Sequence, residues 1–239
     1  SPVSKADFIQ GRLDNLINMV NGIQSTPNEA ASLGTCFNEA IDCIILNTKS
    51  TRKDVSLMSC EISHPQPMKV ITAVQGNFKF MFPKDKTLEI ASILKNSSCV
   101  VQDYVEADID TCYGKAQLYG YPDYYNKDGF VIDLKTTSNY SCRKYENYSQ
   151  RYLYPNCLHK SGKIDDYIQF TFLVAECKTS KSNYVTNFEV MRENYTDGIQ
   201  ECENTAKMLT ENFIAWYRDA IKSKICTERL CGKHLEQKH

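Results

Sequence analysis

Several motifs that mark common catalytic sites are absent from this sequence. It contains no Gly-x-Ser-x-Gly, no His-Glu-x-x-His and no Cys-x-x-Cys, so it lacks a serine-hydrolase elbow and the usual zinc-binding patterns. The glycine-rich loops that cradle nucleotide phosphates are also missing, and the chain of 239 residues has only ten glycines. The sequence therefore indicates no bound cofactor and no metal ion.

Long apolar runs and an excess of one charge are absent as well. The formal net charge is -1, so no strong field favours a nucleic-acid partner. No apolar run approaches the roughly 20 residues that a membrane helix needs, and we expect no membrane insertion. The densest basic group, Lys49, Arg52 and Lys53, is predicted to be a solvated loop, with a docking patch as the alternative.

Cysteine, by contrast, is abundant. Eleven cysteines spread over nearly the whole chain, which is typical of a disulfide framework formed in an oxidising compartment, where each bond stabilises by about 2–4 kcal/mol. The odd cysteine is predicted to be Cys231, which allows a disulfide-linked dimer; alternatively Cys226 and Cys231 close a small loop and another cysteine stays unpaired. The cysteines predicted to form disulfides are Cys36, Cys43, Cys60, Cys99, Cys112, Cys142, Cys157, Cys177, Cys202 and Cys226.

Four N-glycosylation sequons begin at Asn96, Asn139, Asn147 and Asn194. They agree with the cysteines in predicting a secreted, extracellular glycoprotein. No signal peptide is visible in the sequence, and we expect Ser1 to follow one that has been removed.

Apolar spacing predicts helices toward both ends of the chain. Residues 5–21 carry apolar side chains at intervals of three and four. A second helix is predicted to start at Thr26 as its N-cap, with Pro27 in the first turn and Glu29 closing a capping box. A long C-terminal helix is predicted over residues 197–225.

The centre of the chain predicts a small sheet. Residues 68–82 alternate on both sides of Gly76, which is a hairpin signal, and further strands are predicted over residues 130–134, 165–177 and 184–191. Short helices are expected over residues 86–95 and 99–112, and residues 113–164 are expected to be rich in loops.

Together these elements predict one α+β domain over residues 1–239, with a subdivision near residue 120 as the alternative. In it, disulfide-stapled helices, two N-terminal and one long C-terminal, pack with a small antiparallel sheet.

Two groups of residues are candidates for metal binding or catalysis. The acidic residues of the segment 103–110 have helical spacing and predict an exposed face, and they lack the glycine and glutamate positions of a calcium loop. A cysteine nucleophile paired with His64 or His159 is the remaining enzyme option, but no known signature surrounds any cysteine. We therefore expect no catalytic activity.

The fifteen tyrosines favour a binding function, because tyrosine supplies contact area at a small entropy cost. The segment 139–157 is predicted to be a glycan-shielded loop, and the predicted binding surface lies elsewhere, at Tyr119, Tyr121, Tyr124 and Tyr125. The sequence thus predicts a secreted, non-enzymatic glycoprotein that binds another extracellular protein, in recognition or as an immune-modulating decoy. The alternative is a carrier of a small hydrophobic ligand in a helical, disulfide-stapled cavity lined by phenylalanines.

Overall fold

A computed structural model describes residues 27–63, 67–179 and 185–216. These ranges contain four helices and ten strands. The helices are α1 (Glu29–Leu46), α2 (Lys84–Asn96), α3 (Gln150–Lys160) and α4 (Ile199–Trp216). The strands are β1 (Val55–Ile62), β2 (Met68–Gln75), β3 (Phe78–Pro83), β4 (Val100–Val101), β5 (Val105–Thr111), β6 (Gly114–Gly120), β7 (Tyr124–Tyr125), β8 (Phe130–Thr137), β9 (Gln169–Thr179) and β10 (Val185–Thr196).

The chain divides into two compact units, one formed by Asn28–Leu209 and one by the two chain ends, Ser1–Pro27 with Thr210–His239. In the terminal unit only Pro27 and the residues 210–216 are described; there the rings of Phe213 and Trp216 lie 6.4 Å apart. The prediction of a single domain over residues 1–239 stays a prediction. All that follows concerns the larger unit.

The larger unit is built around a mixed five-stranded sheet of order β10-β9-β8-β7-β4. Strands β8 and β9 run parallel, and the other neighbours run antiparallel. A parallel pair needs a crossover connection, and α3 is the helix in it. Strands β1, β2 and β3 form an antiparallel sheet, and β5 pairs with β6 as a separate hairpin.

Each face of the five-stranded sheet has its own hydrophobic core. One core joins α1, α2 and the three-stranded sheet to residues such as Leu134 and Leu173. The other joins α3 and β5 to Val131, Phe170 and Phe172. Because alternate side chains of a strand point to opposite faces, β8 contributes to both cores, and its polar residues are therefore held between packed layers.

Local sequence signals explain where several elements begin and turn. Helix α1 is capped by Asn28, whose Oδ1 accepts a hydrogen bond from the Ala31 amide at 2.9 Å. The predicted cap, Thr26, lies outside the described residues. The turn between β2 and β3 places Gly76 at φ +57°, a left-handed conformation that glycine adopts at little cost, and the predicted hairpin is confirmed.

The predicted fold class is wrong in its emphasis: the described chain is sheet-rich mixed α+β rather than helix-dominated. Residues 99–112, predicted as a helix, form β4 and β5, and the zone 113–164 contains β6, β7, β8 and α3. The main sheet is mixed rather than antiparallel. The first predicted helix, over residues 5–21, lies outside the described residues. So do residues 217–225, the end of the predicted C-terminal helix.

The disulfide staples of that prediction are also not found. No disulfide bond joins any two of the nine cysteines in the described ranges, while Cys226 and Cys231 lie outside those ranges. Packing of apolar side chains, five of them phenylalanines that are fully buried, holds the larger unit together instead. No helix within the described residues is both long and apolar enough to cross a membrane.

Candidate functional site

Strand β8 carries one buried and one half-buried charged residue. Its sequence, FVIDLKTT, places Asp133 and Lys135 on one face, and the Asp133 side chain is only 2% exposed. The Lys135 ammonium lies 2.5 Å from Asp133 Oδ2. Charged side chains are seldom buried in a covered strand, so this ion pair marks a candidate site.

Asp123 stands beside this pair, in the connection that leads into β7. Its Oδ2 accepts a hydrogen bond from the Leu134 amide at 2.8 Å, and its Oδ1 accepts one from the Gln102 side chain at 2.9 Å. Gln102 itself has φ +49°, a conformation that is uncommon outside glycine and concentrates at functional sites. The fold thus fixes the Asp123 carboxyl directly against the backbone of β8.

A third carboxylate, Asp42, reaches this region from α1. Its Oδ1 accepts a hydrogen bond of 2.6 Å from the hydroxyl of Tyr124, a buried residue of β7. One turn earlier in α1, Glu39 accepts hydrogen bonds from the Ser50 hydroxyl and the Thr51 amide. Glu39 therefore anchors the loop after α1, whereas Asp42 remains available at the surface of the site.

Asp42 and Asp123 line one cavity of about 500 Å³. Glu39, Gln102 and Tyr121 contribute to the same wall. The remaining lining residues, which include two basic ones, are Thr35, Asn38, Cys43, Leu46, Thr48, Lys49, Thr51, Arg52 and Val101. A concave cavity on which a few polar groups converge is a candidate binding or catalytic site.

Helix α3 approaches the same carboxylates from the other face of the sheet. The ring of Tyr154 lies so close to Gly120 that a Cβ there would come within 2.9 Å of Tyr154 Cε1. Burial raises the pKa of Tyr154, and the charges of Asp133 and Asp123 raise it further. Gln150, one turn earlier, donates a hydrogen bond of 3.4 Å to the Tyr154 hydroxyl.

A buried ion pair holds α3 in this position. Arg151 Nε and one terminal nitrogen each lie 2.6 Å from an oxygen of Asp197, a bidentate pair that links α3 to the residues after β10. The guanidinium also lies over the rings of Tyr195 and Tyr152, at 4.0 and 5.0 Å. A planar, bidentate guanidinium–carboxylate pair fixes the relative orientation of its two partners as well as attracting them. The pair therefore positions α3, and with it Gln150 and Tyr154.

The three carboxylates titrate unlike ordinary surface acids. Burial raises the pKa of Asp42 to about 7, and the nearby charge of Asp123 adds to the shift. Burial, followed by the charge of Asp123, raises the pKa of Asp133 to about 7, and burial raises the pKa of Asp123 as well. Like charges held together in a low dielectric behave in this way, and a cation bound between them would relieve the repulsion.

Asp123 and Asp133 are the residues that could hold a metal ion. Both offer hard oxygen ligands, and they lie close enough together that the charge of Asp123 raises the pKa of Asp133. Within the described ranges, no three His, Cys, Asp or Glu side chains converge as a closed metal cage. The set therefore fits a cation that keeps waters and takes further ligands from a substrate, as Mg²⁺ does.

The predicted cysteines do not gather at this site. Cys36, Cys157, Cys177 and Cys202 are buried in the two cores. Burial raises the pKa of the Cys157 thiol to about 11 and that of Cys177 to about 12, which keeps both as unreactive thiols. Cys43, Cys60 and Cys99 are half-buried, and Cys112 and Cys142 are exposed.

The predicted binding surface is divided by the fold. Tyr119 and Tyr121 are 71% and 54% exposed, whereas Tyr124 and Tyr125 are buried in the sheet. All four sequon asparagines, Asn96, Asn139, Asn147 and Asn194, are exposed.

The cysteine–histidine enzyme option gains no support from the described residues. His159 Nε2 lies 3.0 Å from Asp166 Oδ1, and Glu203 is the other acidic neighbour of the ring. His64 lies outside the described residues. The acidic segment Asp103–Asp110 lies largely on β5, where Glu106, Asp108 and Asp110 face outward.

Sequence patterns did not single out Asp42, Asp123, Asp133 or Lys135. One signal was present: Asp133 and Lys135 interrupt an otherwise apolar strand at positions that share a face. Because a parallel strand with both faces covered is normally apolar throughout, two charges on one face of such a strand indicate a site. Asp42 and Asp123 gave no comparable signal, since only the fold brings them to β8.

No protein-family profile matches the sequence, and no curated protein matches it. Among solved structures, the fold is similar to a protein from Eubacterium rectale named "Putative exonuclease", with 12% identity over 93% of this chain and 82% of that one and a TM-score of 0.47. It is also similar to a protein designated SSO0001, with 15% identity over 59% of this chain and 67% of that one and a TM-score of 0.38. Both likenesses are distant, so the function proposed below rests on the side chains of this chain alone.

Proposed function

We propose that this chain is a divalent-metal-dependent hydrolase of phosphodiester bonds in nucleic acid, with its site at Asp123, Asp133 and Lys135. The supporting observation is Asp133: a carboxylate only 2% exposed in a covered strand, with the Lys135 ammonium 2.5 Å from its Oδ2 and with Asp123 close enough for its charge to raise the pKa of Asp133. A second carboxylate beside a buried ion pair costs stability, and a bound cation would recover that cost.

The number and type of ligands favour a phosphate-containing substrate. Mg²⁺ is commonly held by one or two carboxylates, with waters and substrate phosphate oxygens completing its octahedron. Asp123 and Asp133 supply that number. When bound, the cation polarises the phosphoryl group and lowers the pKa of bound water. This proposal replaces the expectation of no metal and no catalysis, because the proximity of Asp123 and Asp133 cannot be recognised in the sequence.

The side chains of this chain would each perform a separate task. Lys135, oriented by Asp133, places a positive charge where negative charge develops on the phosphate oxygens. Asp42, whose pKa is about 7, can take up and release a proton near neutral pH, and the Tyr124 hydroxyl fixes its carboxyl at 2.6 Å. Gln102 and the Leu134 amide keep Asp123 in place.

The cavity rim supplies positive charge for a polyanion. Lys49 and Arg52, from the basic group noted in the sequence, line the cavity together with Asp42 and Asp123. Arg52 also pairs with Asp54 at 3.1 Å, so Lys49 is the residue that we assign to phosphate. A phosphodiester chain passing over this rim would present one linkage to the carboxylates.

The test is cleavage of end-labelled single-stranded and double-stranded oligonucleotides, and of bis(p-nitrophenyl) phosphate, with Mg²⁺ or Mn²⁺ and with chelator. We expect cleavage that requires the metal and is lost in Asp133→Asn. The matched control is Asp108→Asn, an exposed carboxylate of β5, which should cleave as the unmodified chain does. Absence of cleavage with either metal, or equal cleavage by Asp133→Asn, would contradict the proposal.

The earlier expectation of an extracellular binding protein, with a hydrophobic-ligand carrier as its alternative, stays a prediction. Its remaining specific support is the exposure of the four sequon asparagines. Secretion from eukaryotic cells followed by glycosidase treatment tests it: a mass decrease would support an extracellular glycoprotein, and an unchanged mass would count against it.

A further inference from the structure

Three exposed tyrosines form a connected aromatic patch beside the candidate site. Tyr104 precedes β5, Tyr119 lies on β6, and Tyr121 follows β6; their side chains are 43%, 71% and 54% exposed. The ring centroid of Tyr104 lies 5.4 Å from that of Tyr121 and 6.4 Å from that of Tyr119. Large aromatic rings that contact one another in water, instead of being buried, indicate a surface that other flat groups can cover.

The patch is continuous with the cavity of the candidate site. Tyr121 lines that cavity together with Asp42, Asp123 and Lys49. A ligand that reaches from the carboxylates onto the hairpin β5–β6 therefore meets Tyr121 first, and then Tyr104 and Tyr119.

The charge beside the patch selects which part of a nucleic acid can lie there. The Tyr104 hydroxyl donates a hydrogen bond of 2.7 Å to Glu106 Oε2, and Glu106 is opposite Tyr119 in the β5–β6 register. A carboxylate at this place repels phosphate groups, whereas the face of a neutral base is accepted. Phosphates are instead expected on the side of Lys49.

From this arrangement we infer that Tyr104, Tyr119 and Tyr121 form a stacking platform for the bases of a single-stranded nucleic acid, next to the linkage at the candidate site. This inference rests on the proposed function, because it assumes a nucleic-acid substrate. A duplex keeps its bases stacked on one another, so only unpaired nucleotides can stack on the rings. Stacking tolerates any base, because every base has a π-face.

The experiment measures binding without cleavage. The Asp133→Asn chain, in the presence of chelator, is titrated against a labelled oligothymidylate and against an abasic oligomer of the same length, with fluorescence anisotropy as the readout. We expect Tyr119→Ala to raise the Kd for the oligothymidylate about 5- to 100-fold and to change the Kd for the abasic oligomer little. Tyr119→Phe, which keeps the ring, should retain the affinity.

The matched control is Tyr167→Ala, which removes a tyrosine that is 56% exposed and lies outside the patch. It should bind both oligomers as the parent does. Equal affinity for the two oligomers, or an unchanged Kd in Tyr119→Ala, would overturn the platform; a protein or sugar as the natural occupant predicts that result.

Failure of the platform and failure of the hydrolase give different results. If the unmodified chain cleaves bis(p-nitrophenyl) phosphate but shows no base-dependent binding, the platform is wrong and the hydrolase stands. If base-dependent binding depends on Tyr119 while no metal supports cleavage, the platform stands as a binding site and the proposed reaction is wrong.

Discussion

Two groups of carboxylates in this molecule differ in how well their charges are compensated. On the hairpin side, Asp103 accepts hydrogen bonds from Lys163 and Tyr125, and these contacts lower its pKa. Near Asp123, burial raises to about 7 the pKa of Asp42, which lines the cavity, and that of Asp133, which lies on β8. Asp103 therefore stabilises the fold once it is ionised, whereas Asp42 and Asp133 destabilise it at neutral pH, as groups retained for function commonly do.

The difference shows why a count of acidic residues is a poor guide to a site. The segment Asp103–Asp110 is the denser group in sequence, yet its β5 members alternate between solvent-facing acids and buried apolar residues. The cavity group is sparse in sequence and is assembled by α1, the connection before β7, and β8. Burial, rather than density in the sequence, separates the two groups.

The largest effect is expected where a buried carboxylate is fully paired. Arg151→Met leaves the carboxylate of Asp197, whose side chain is only 4% exposed, without its partner. Loss of one member of a buried pair costs about 3–5 kcal/mol, and we expect that loss in urea denaturation. Arg52→Met is the control, since its pair with Asp54 is half-exposed and should cost less than about 1 kcal/mol. Similar losses in both variants would contradict this distinction.

The next prediction compares the lysine partners of the two groups. Lys135→Met should lower metal-dependent phosphodiester cleavage about 10²- to 10³-fold, because a preorganised positive charge at the reacting group is lost. Lys163→Met removes the partner of Asp103 and should leave the cleavage rate within a factor of about two, since Lys163 pairs with Asp103 rather than with a candidate metal ligand. Initial rates of bis(p-nitrophenyl) phosphate cleavage measure the effect of both substitutions. Equal losses in the two variants would contradict the distinction between the two groups of carboxylates.

Asp42→Asn should raise stability in a pH-dependent way. The folded-state pKa of Asp42 is about 7, against an ordinary value of 3.8. Between these two pH values the carboxyl is protonated in the folded chain and ionised in the unfolded chain, so the free energy of unfolding falls as the pH rises from about 4 to 7. The variant avoids this loss and keeps an oxygen for the Tyr124 hydroxyl. We expect a gain on the order of 1–3 kcal/mol at pH 8 and none at pH 4, because partial exposure reduces the full effect.

Thermal or urea unfolding at the two pH values measures this gain. A variant that is less stable than the unmodified chain at pH 8 would show that the buried Asp42 carboxylate does not destabilise the folded state.

The smallest effect is expected at Asp103, with the opposite sign. Its pKa is lowered, first by the Lys163 hydrogen bond, so it contributes stability above the unfolded-state pKa, and that contribution is lost as pH falls. Because the side chain is 35% exposed, Asp103→Asn should cost only about 0.5–1 kcal/mol at pH 7. The cost should decrease as the pH falls below the ordinary carboxyl pKa of about 4, and a variant more stable than the unmodified chain at pH 7 would be the contrary result.

Elements with strong local signals were predictable from sequence. The β2–β3 hairpin follows from alternation around Gly76, and α2 follows from its apolar spacing, with ends that differ by two residues at most from the expected range. Helix α3 was missed because Pro155 lies inside it and Ser149 makes no side-chain cap.

Strand β5 was misread for a different reason. Acids at positions 106, 108 and 110 fit a two-residue period, while the group with Asp103 also fits helical spacing. Only pairing with β6, which is a non-local interaction, decides between the two. The contribution of Asp42 and Asp123 to the candidate site was unpredictable in the same sense, since only the fold brings these two residues close to β8.

The most direct test of the central claim is the effect of Mn²⁺ on thermal unfolding at pH 8 without nucleic acid. A cation held by Asp123 and Asp133 stabilises the folded chain by about 1.4 kcal/mol at a tenfold excess over Kd, or about 3–6 °C for a protein of this size. We expect this increase in the unmodified chain and in Asp108→Asn, and its loss in Asp123→Asn and Asp133→Asn. An equal shift in all four proteins, or no shift in any, would contradict a metal site at these two carboxylates.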